Sequence, residues 1–505
     1  MTPPDAPAAP IAGQDVEERD AQTDARVHRD TDPLRIPRAA APATCRKRPA
    51  LRLGVRLAAA WVLLQAARPA SAGPGPSSAP AESTQHRRSG LVRVVGHSLQ
   101  DRDGPFLGLG VSYFTALWRF RNDRPRLESD LAFLSRQGFN YYRMLSMVGW
   151  NSAWKGLEIA PVPFATRDGR RIAAWSDYWA QLAGLVDLAY DRYGMRTQIT
   201  VFADAQLMPR KQDRIEHLRR LLADVVAGRE QKIMLIEVAN EAWQNGFPGQ
   251  PGVTDLREFT RYLADRTPVP VATTSNHEGS FRDLYGGSAA DIATWHFSRD
   301  RSADDGWKPV YDCWDLGDAP GCPPVSSNEP IGPGASVASQ TDAVRLVMAA
   351  VFAYVARLPM YVFHCEAGVM GRTRFEDTPG IRLYRPIVSR LPADLPNWER
   401  TDARESRSLF TIYAGGAPNT TWPESPASSD GCVRMVGARK GRRFVYAAIG
   451  IRPGGLTIRA RAPVWFRMLD ALTGQPTREV RLRAGEQRTL DADPGARILV
   501  GRIAP

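Results

Sequence analysis

The chain has 505 residues, of which 43% are hydrophobic and 24% charged, so it is too long for one ordinary core and too apolar for wholesale disorder. Its 42 Gly and 40 Pro follow no collagen-like period, which excludes a fibrous protein. The formal charge is +12, but 60 of the 66 basic residues are arginines scattered along the sequence. Because no basic element interleaved with aromatic residues stands out, we do not predict nucleic-acid binding. The positive charge fits an acidic substrate, and it equally fits a composition that simply favours arginine.

The first ninety residues are predicted to precede the folded part. Residues 1–45 are polar, rich in Pro and Ala and aperiodic, so we predict a disordered N-terminal extension. Residues 46–72 combine a basic start, an apolar run of about eleven residues and a small-residue cleavage pattern, which is typical of a signal peptide. That run is too short for a bilayer span of about twenty residues. We therefore expect no permanent membrane span, a flexible linker at 73–90 and a secreted or periplasmic protein.

From residue 105 onward, short apolar runs alternate with amphipathic segments, the pattern of parallel strands joined by helices. Eight strands are predicted at 106–111, 139–145, 195–202, 232–239, 269–274, 292–296, 324–327 and 360–364. Eight such units in about 290 residues indicate an α/β fold, a (β/α)8 TIM barrel, within a catalytic domain at 91–400. A doubly wound open sheet is the alternative. It normally carries a glycine fingerprint after its first strand, and Gly108-Leu109-Gly110 lacks the third glycine.

The pattern changes after about residue 405, where short alternating runs are separated by Gly, Pro and Asp turns. Five further strands are predicted at 444–449, 456–460, 464–469, 478–483 and 497–502. We predict a small C-terminal β-sandwich over residues 401–505, an accessory domain that packs against the barrel. Sugar binding by this domain stays open.

Four cysteines follow the predicted signal peptide, an even number in a compartment that favours disulfides. Cys313 and Cys322 enclose a short loop, so we predict that they form a disulfide. A bond between Cys365 and Cys432 stays open, and so does the alternative of four buried free thiols.

Two glutamates end predicted strands in a way that suggests chemistry. In a TIM barrel the active site lies at the C-terminal ends of the strands, where the fourth strand is followed by Asn240-Glu241 and the seventh by Asn328-Glu329. Two carboxylates facing one pocket are what the cleavage of a glycosidic bond requires. A single strand-end Glu often only interacts with a helix dipole, so the pair carries the prediction.

On these motifs the chain resembles the clan A retaining glycoside hydrolases, the cellulase-like TIM-barrel superfamily, over about residues 100–395. The resemblance implies that Glu241 is the acid/base and Glu329 the nucleophile. It also implies that Asn240 contacts the sugar hydroxyl beside the reacting carbon, and that Arg143 steadies the nucleophile from the end of the second strand. The alternative that Arg143 only bridges carboxylates at the barrel mouth stays open.

The predicted substrate-binding residues continue around the barrel mouth. The same resemblance places His296, at the end of the sixth strand, beside the nucleophile, and Asn328 directly precedes that nucleophile. Sugar rings lie against flat apolar faces, and Trp150, Trp243 and Trp295 fall at or beside strand ends, although a Trp more often packs in a core or interface. At the end of the eighth strand the sequence has no Trp, although many members of the resembled family place one there under the sugar. We therefore predict neither the sugar nor the linkage.

Two other functions stay open. A metal-dependent hydrolase would use zinc to ionise water, and its candidate ligands are Asp204, His277, His296 and His364. An inactive barrel that only binds carbohydrate is the second alternative. Glu278 and Glu366 are rival nucleophiles within the preferred interpretation.

The sequence thus predicts a monomeric glycoside hydrolase that needs no metal or cofactor and acts on a poly- or oligosaccharide. Retention of the anomeric configuration predicts carboxyl groups about 5–5.5 Å apart, and inversion about 6.5–9.5 Å.

Overall fold

The structure is a computed structural model that describes residues 87–275, 281–297, 307–314, 316–334, 340–414, 417–418, 433–451, 455–490 and 495–505. The predicted N-terminal extension, the predicted signal peptide and most of the predicted linker lie outside the described residues. Within the described ranges, no helix is long and apolar enough to cross a membrane.

A small antiparallel sheet precedes the barrel and covers its N-terminal end. It consists of β1 (Arg93–Val95), β2 (Ser98–Asp101) and β3 (Gly104–Phe106). The side chains of Leu99 and Phe106 are buried in one apolar cluster with residues at the beginnings of later strands, among them Met234 and Met360. A functional pocket therefore has to lie at the other end, where the strands finish.

Eight parallel strands form the barrel and confirm the predicted fold class. They are β4 (Gly108–Ser112), β5 (Tyr141–Leu145), β8 (Arg196–Phe202), β9 (Ile233–Ala239), β10 (Val271–Thr274), β11 (Ala293–Trp295), β12 (Val325–Ser327) and β13 (Met360–Phe363). Nearly every residue in them is buried. This explains the continuous apolar runs in the sequence, because the strands of a barrel are covered on both faces.

Helices and one hairpin connect these strands. The hairpin, β6 (Phe164–Ala165) and β7 (Arg171–Ile172), lies in the loop after β5. The helices are α1 (Ala116–Asn122), α2 (Arg124–Arg136), α3 (Tyr178–Tyr193), α4 (Lys211–Arg220), α5 (Gly249–Ala264), α6 (Phe281–Tyr285), α7 (Lys308–Tyr311), α8 (Ala343–Val355), α9 (Glu366–Val369) and α10 (Tyr384–Val388). Helix α3 ends at Gly194, which has a φ of 67°, a conformation that glycine adopts without strain.

A tyrosine hydroxyl joins β10 to β11, the neighbouring strands between which the barrel closes. The Tyr285 hydroxyl donates to the Thr274 carbonyl at 2.6 Å and accepts from the Thr274 and Thr294 amides, each at 3.1 Å. The phenol thus replaces backbone pairing where the two strands diverge. It also positions the ends of the fifth and sixth strands.

The C-terminal sandwich contains two antiparallel sheets. One has the strand order β14-β17-β18-β23-β20-β21 and the other β16-β15-β19-β22. The strands are β14 (Glu399–Asp402), β15 (Phe410–Ala414), β16 (Ala417–Pro418), β17 (Arg434–Lys440), β18 (Arg443–Ile449), β19 (Leu456–Ala460), β20 (Val464–Leu469), β21 (Val480–Leu482), β22 (Gln487–Leu490) and β23 (Ala496–Ile503).

Helix α8 is the main contact between the sandwich and the barrel. Eleven of its thirteen residues are buried. A helix covered only by the barrel would leave one side exposed to solvent. Val445, Ala447 and Ile498, on one face of the first sandwich sheet, belong to the same apolar cluster as α8. The two parts of the chain therefore share a core, so the sandwich stabilises the barrel.

The predicted Cys313–Cys322 disulfide is not formed. Cys313 is buried in the barrel cluster with its thiol 3.9 Å from the Val310 carbonyl, while Cys322 is half-buried near Arg282. The two side chains therefore occupy different environments, which short spacing in the sequence could not show. Cys365 is a buried thiol, and its possible partner Cys432 lies outside the described residues.

The strand-joining role of Tyr285 predicts a large loss of stability in Tyr285→Phe. The variant leaves several buried backbone groups without a partner, and we expect its free energy of unfolding to fall by about 3 kcal/mol. Urea unfolding measures the loss. Tyr354→Phe, which removes one buried hydroxyl bonded to a single carbonyl at 3.0 Å, is the control and should lose about 1 kcal/mol. Equal losses in the two variants would contradict the strand-joining role.

Candidate active site

Each of the eight barrel strands, or the one or two residues directly after it, contributes a polar side chain to one site at the C-terminal end. In strand order these residues are Ser112, Arg143, Gln198, Glu237, Ser275, His296, Glu329 and His364. All eight are buried. Burying so many polar groups together is costly unless they satisfy one another, so their hydrogen bonds determine the arrangement.

Arg143 lies at the centre of this network and is fully buried. Its Nε donates to Glu237 at 2.9 Å, its Nη1 to Glu329 at 2.6 Å and its Nη2 to the Asn240 side-chain oxygen at 2.6 Å. Burial by itself lowers the pKa of the guanidinium, but the charges of Glu237 and Glu329 outweigh burial and raise that pKa above its ordinary value. Arg143 is therefore a permanent cation that fixes three neighbours.

Glu237 anchors the inner side of Arg143. Its two carboxylate oxygens accept hydrogen bonds from five side chains, at 2.6–3.3 Å; these are Arg143, Gln198, Thr200, Ser275 and Asn328. A carboxylate whose oxygens are all occupied by donors has no capacity left for a substrate. Glu237 is thus a structural counter-charge for Arg143.

Glu241 has a strained backbone. Its φ is 40°, and apart from Arg357 no other described non-glycine residue has a positive φ. Such a conformation costs about 1–3 kcal/mol and persists only where the surroundings enforce it. The turn directs the Glu241 carboxylate toward His296 and Gln244, which both contact it. Strain of this kind is concentrated at functional sites.

His296 lies between the two carboxylates that the sequence selected. Its Nδ1 is 2.9 Å from Glu241 Oε1, and its Nε2 is 3.3 Å from Glu329 Oε1. One oxygen of each glutamate and one ring nitrogen of His296 lie within 4.8 Å of one another. The two strand-end glutamates therefore converge as predicted, with an imidazole between them.

Glu329 is held from two sides. Besides Arg143, the ring of His364 approaches it, with Nε2 at 3.7 Å from Glu329 Oε2. The other ring nitrogen of His364 is 2.9 Å from the Ser112 hydroxyl, which fixes the orientation of the imidazole. The carboxylate therefore lies beside one cation and two imidazoles.

A cavity of about 330 Å³ opens above these groups. Glu241, Glu329 and His364 form part of its wall, and Phe114 and Trp154 supply aromatic surface. An open cavity with convergent polar groups and apolar wall is typical of a binding site for a small ligand.

Asp204 positions one wall of the cavity. Its carboxylate accepts the backbone amides of Gly149 and Trp150 at 2.7 and 2.9 Å, which fixes the loop carrying Asn151 and Trp154. Burial raises the pKa of Asp204, and the two amides oppose that shift. This residue thus connects the third strand to the loop after the second.

The other predicted substrate-binding residues occupy different places. Asn240 lines the cavity, whereas Asn328 is fully buried behind the carboxylates, where its amide donates to Glu237. Trp150 and Trp295 pack against the barrel core, and Trp243 is 36% exposed. For all five residues, contact with a substrate stays a prediction.

The rival glutamates differ in position. The Glu366 carboxylate accepts the Thr373 amide and hydroxyl, each at 2.9 Å, and so faces a surface loop. Glu278 and the candidate zinc ligand His277 lie outside the described residues.

Sequence reasoning did not select Glu237, Gln198, Thr200 or Ser275. A signal for Glu237 was available, because it is the single charged residue inside the buried run Ile233–Ala239. A charge in a strand covered on both faces requires a buried partner, and Arg143 was the obvious one.

Three groups in the site could ligate a metal ion. Within the described part of the chain, Glu241, His296 and Glu329 form a set of three potential ligands. However, the Arg143 guanidinium lies 2.6 Å from Glu329, and a cation next to a ligand disfavours binding a second cation. The donor set therefore suits proton transfer better than metal chemistry.

The ion pair between Glu237 and Arg143 predicts the effect of Glu237→Gln. The amide nitrogen of Gln would face donors, and the buried Arg143 would lose a counter-charge, so we expect the free energy of unfolding to fall by about 3–5 kcal/mol. Thermal or urea unfolding measures the change. The control Glu128→Gln removes a surface carboxylate paired with Arg124 and should cost less than about 1 kcal/mol. A loss in Glu237→Gln no larger than in this control would contradict the buried counter-charge.

Comparison with known proteins shows the fold. No protein-family model matches the sequence, and no curated protein matches it. Among solved structures, a glycoside hydrolase family 5 protein from Bacteroides vulgatus ATCC 8482 is similar at a TM-score of 0.57 and 13% identity, over 82% of this chain and 94% of that one. A second structure, described as a glycoside hydrolase, is similar at a TM-score of 0.55 and 10% identity, over 82% and 97%. The chain therefore shares the fold of these glycoside hydrolases, in agreement with the resemblance found in the sequence.

Proposed function

We propose that the protein is a retaining glycoside hydrolase that cleaves O-glycosidic bonds in a poly- or oligosaccharide by double displacement. One observation carries this proposal: carboxylate oxygens of Glu241 and Glu329, from the fourth and seventh strands, lie within 4.8 Å of each other at a cavity. The fold that the chain shares with named glycoside hydrolases supports the same conclusion.

Glu329 is the nucleophile in this proposal. Attack on the anomeric carbon requires a charged carboxylate held in place, and the Arg143 cation at 2.6 Å favours the charged form. The attack forms a covalent glycosyl-enzyme bond at Glu329, and the bond to the leaving oxygen breaks. Immobilisation by Arg143 and His364 reduces the entropy lost on reaching the transition state.

Glu241 is the acid/base. It is more accessible than Glu329, with 23% of its side chain exposed against 5% for Glu329. A group that exchanges protons with the leaving group and with water has to be accessible. In the first step it protonates the departing oxygen, and in the second it removes a proton from the attacking water. The imidazole of His296 lies within reach of both carboxylates, with Nδ1 2.9 Å from Glu241 and Nε2 3.3 Å from Glu329.

The separation of the carboxylates supports retention over inversion. Inverting enzymes keep their carboxyl groups about 6.5–9.5 Å apart to admit a water, while retaining enzymes keep them about 5–5.5 Å apart. Carboxylate oxygens of Glu241 and Glu329 that lie within 4.8 Å of each other fit the shorter separation of retaining enzymes better. A short separation favours direct attack by Glu329.

Export completes the proposal. The basic start, apolar run and cleavage pattern at residues 46–72 indicate a signal peptide, and polysaccharides are encountered outside the cytoplasm. We therefore propose that the enzyme acts as a secreted or periplasmic protein.

The roles of the two glutamates predict different kinetics for two variants on aryl glycosides. Glu329→Gly should have no measurable turnover, and added azide should restore it with an inverted glycosyl azide as product, because azide fills the space of the nucleophile. Glu241→Ala should lose about 10²–10⁴-fold in kcat on substrates with poor leaving groups. Its loss in kcat/KM, which reports the first step, should be much smaller on activated substrates, because their leaving groups need no proton.

Glu366→Gln is the matched control for both variants, since it changes another strand-end glutamate that faces a surface loop. We expect it to retain kcat and KM. Turnover like the parent enzyme in Glu329→Gly, or an inverted sugar as the product of the parent enzyme, would overturn the proposal.

A further inference from the structure

The excess positive charge is concentrated in the C-terminal sandwich. Residues 401–505 contain 17 Arg and Lys against nine Asp and Glu, a net charge of +8 out of +12 for the whole chain. One fifth of the chain thus carries two thirds of its charge. An imbalance of this size attracts anionic partners.

Strand pairing gathers part of this charge into one row. Arg443 of β18 pairs with Arg502 of β23, Arg502 pairs with Trp465 of β20, and Trp465 pairs with Arg481 of β21. Directly paired residues project from the same face of a sheet. We call these four residues the Arg face.

The Arg face points away from the sandwich core. Val464 and Phe466, which flank Trp465 along β20, are buried in that core, so Trp465 faces the opposite side. The three arginines are exposed, and Trp465 is half-buried.

Trp465 holds two of the guanidinium groups in place. The Cζ atoms of Arg481 and Arg502 lie 4.9 and 4.8 Å from the centre of its ring, and they come from strands on either side of β20. The indole is therefore clamped between two cations by cation–π contacts. Fixing these side chains in advance lowers the entropy that binding a ligand would cost.

The charges on the Arg face are poorly compensated. Arg481 has an ion pair with Glu479 at 2.9 Å, but no carboxylate of the described residues lies within ion-pair distance of Arg443 or Arg502. Like charges on neighbouring strands destabilise a sheet. An anionic ligand would remove this repulsion.

A depression of about 780 Å³ lies at the edge of the sandwich beside Arg481. Arg478, Arg481 and Arg488 line it, with Glu479 as the carboxylate among its described lining residues. Arg481 belongs to both the Arg face and the depression, so basic residues extend from one to the other around the edge strand β21.

We propose that the Arg face binds an acidic polysaccharide whose sugars carry carboxylate groups. Guanidinium groups recognise carboxylates through two parallel hydrogen bonds, and an indole edge offers apolar contact to sugar C–H groups. The choice of a polysaccharide over another polyanion rests on the proposed function of the barrel. The fixed arginines then hold the polymer on the same molecule as the cavity.

Binding to polygalacturonate tests the proposal. The probe is compared with its carboxyl-reduced form, which has the same backbone without charge, and titration calorimetry on the whole protein carrying Glu329→Gly measures binding without turnover. We expect saturable binding of the acidic polymer at least about tenfold tighter than of the reduced one. Failure of the hydrolase assignment would leave this result unchanged, so the two hypotheses are tested separately.

The variant Arg481→Gln with Arg502→Gln should weaken binding at least about tenfold, and Trp465→Ala should weaken it by a smaller factor. The control is Arg219→Gln with Arg266→Gln, two exposed barrel arginines, the second of which also lies on an aromatic ring at 4.1 Å. It removes the same charge and should change affinity less than about twofold.

Three outcomes would overturn the proposal: equal binding of the acidic and reduced polymers, equal weakening in the test and control variants, or tighter Arg-face-dependent binding of duplex DNA or of phosphatidylserine vesicles.

Discussion

A buried arginine between two carboxylates is the interaction on which the rest of the site depends. Arg143 cannot lose its charge, so the interior of the barrel must provide counter-charge, and Glu237 and Glu329 do so. Glu237 is saturated with donors and only holds the cation. Glu329 shares the same cation but reaches the cavity. The same guanidinium therefore pairs with one carboxylate that is enclosed by donors and with another that faces the cavity.

The architecture explains why this arrangement forms at one end. The small N-terminal sheet covers the other end of the barrel, and all eight strands bring a polar side chain to the open one. Tyr285 joins the strands that do not pair directly, and α8 is covered by the sandwich. Rigid surroundings of this kind can enforce the strained backbone of Glu241. Stability that comes from parts of the fold far from the site thus offsets the backbone strain at Glu241.

The sequence predicted what depends on local pattern. Alternating apolar runs gave the barrel strands, and the Asn-Glu pairs gave Glu241 and Glu329, because strand ends must meet at one edge of a barrel. It could not predict contacts set by strand register or loop path. The Arg face combines residues from four strands separated in the chain, so its arginines looked scattered. Trp154 reaches the cavity through a loop that Asp204 holds, and the spacing of Cys313 and Cys322 gave no information on side-chain direction.

The covalent intermediate tests the account most directly. A 2-deoxy-2-fluoro glycoside with a good leaving group slows the second step, so the glycosyl-enzyme accumulates and peptide mass spectrometry locates the attached sugar. The account predicts a single label on Glu329, with loss of label when excess acceptor restores turnover. A label on Glu241 or Glu366, or complete turnover without any covalent species, would contradict it.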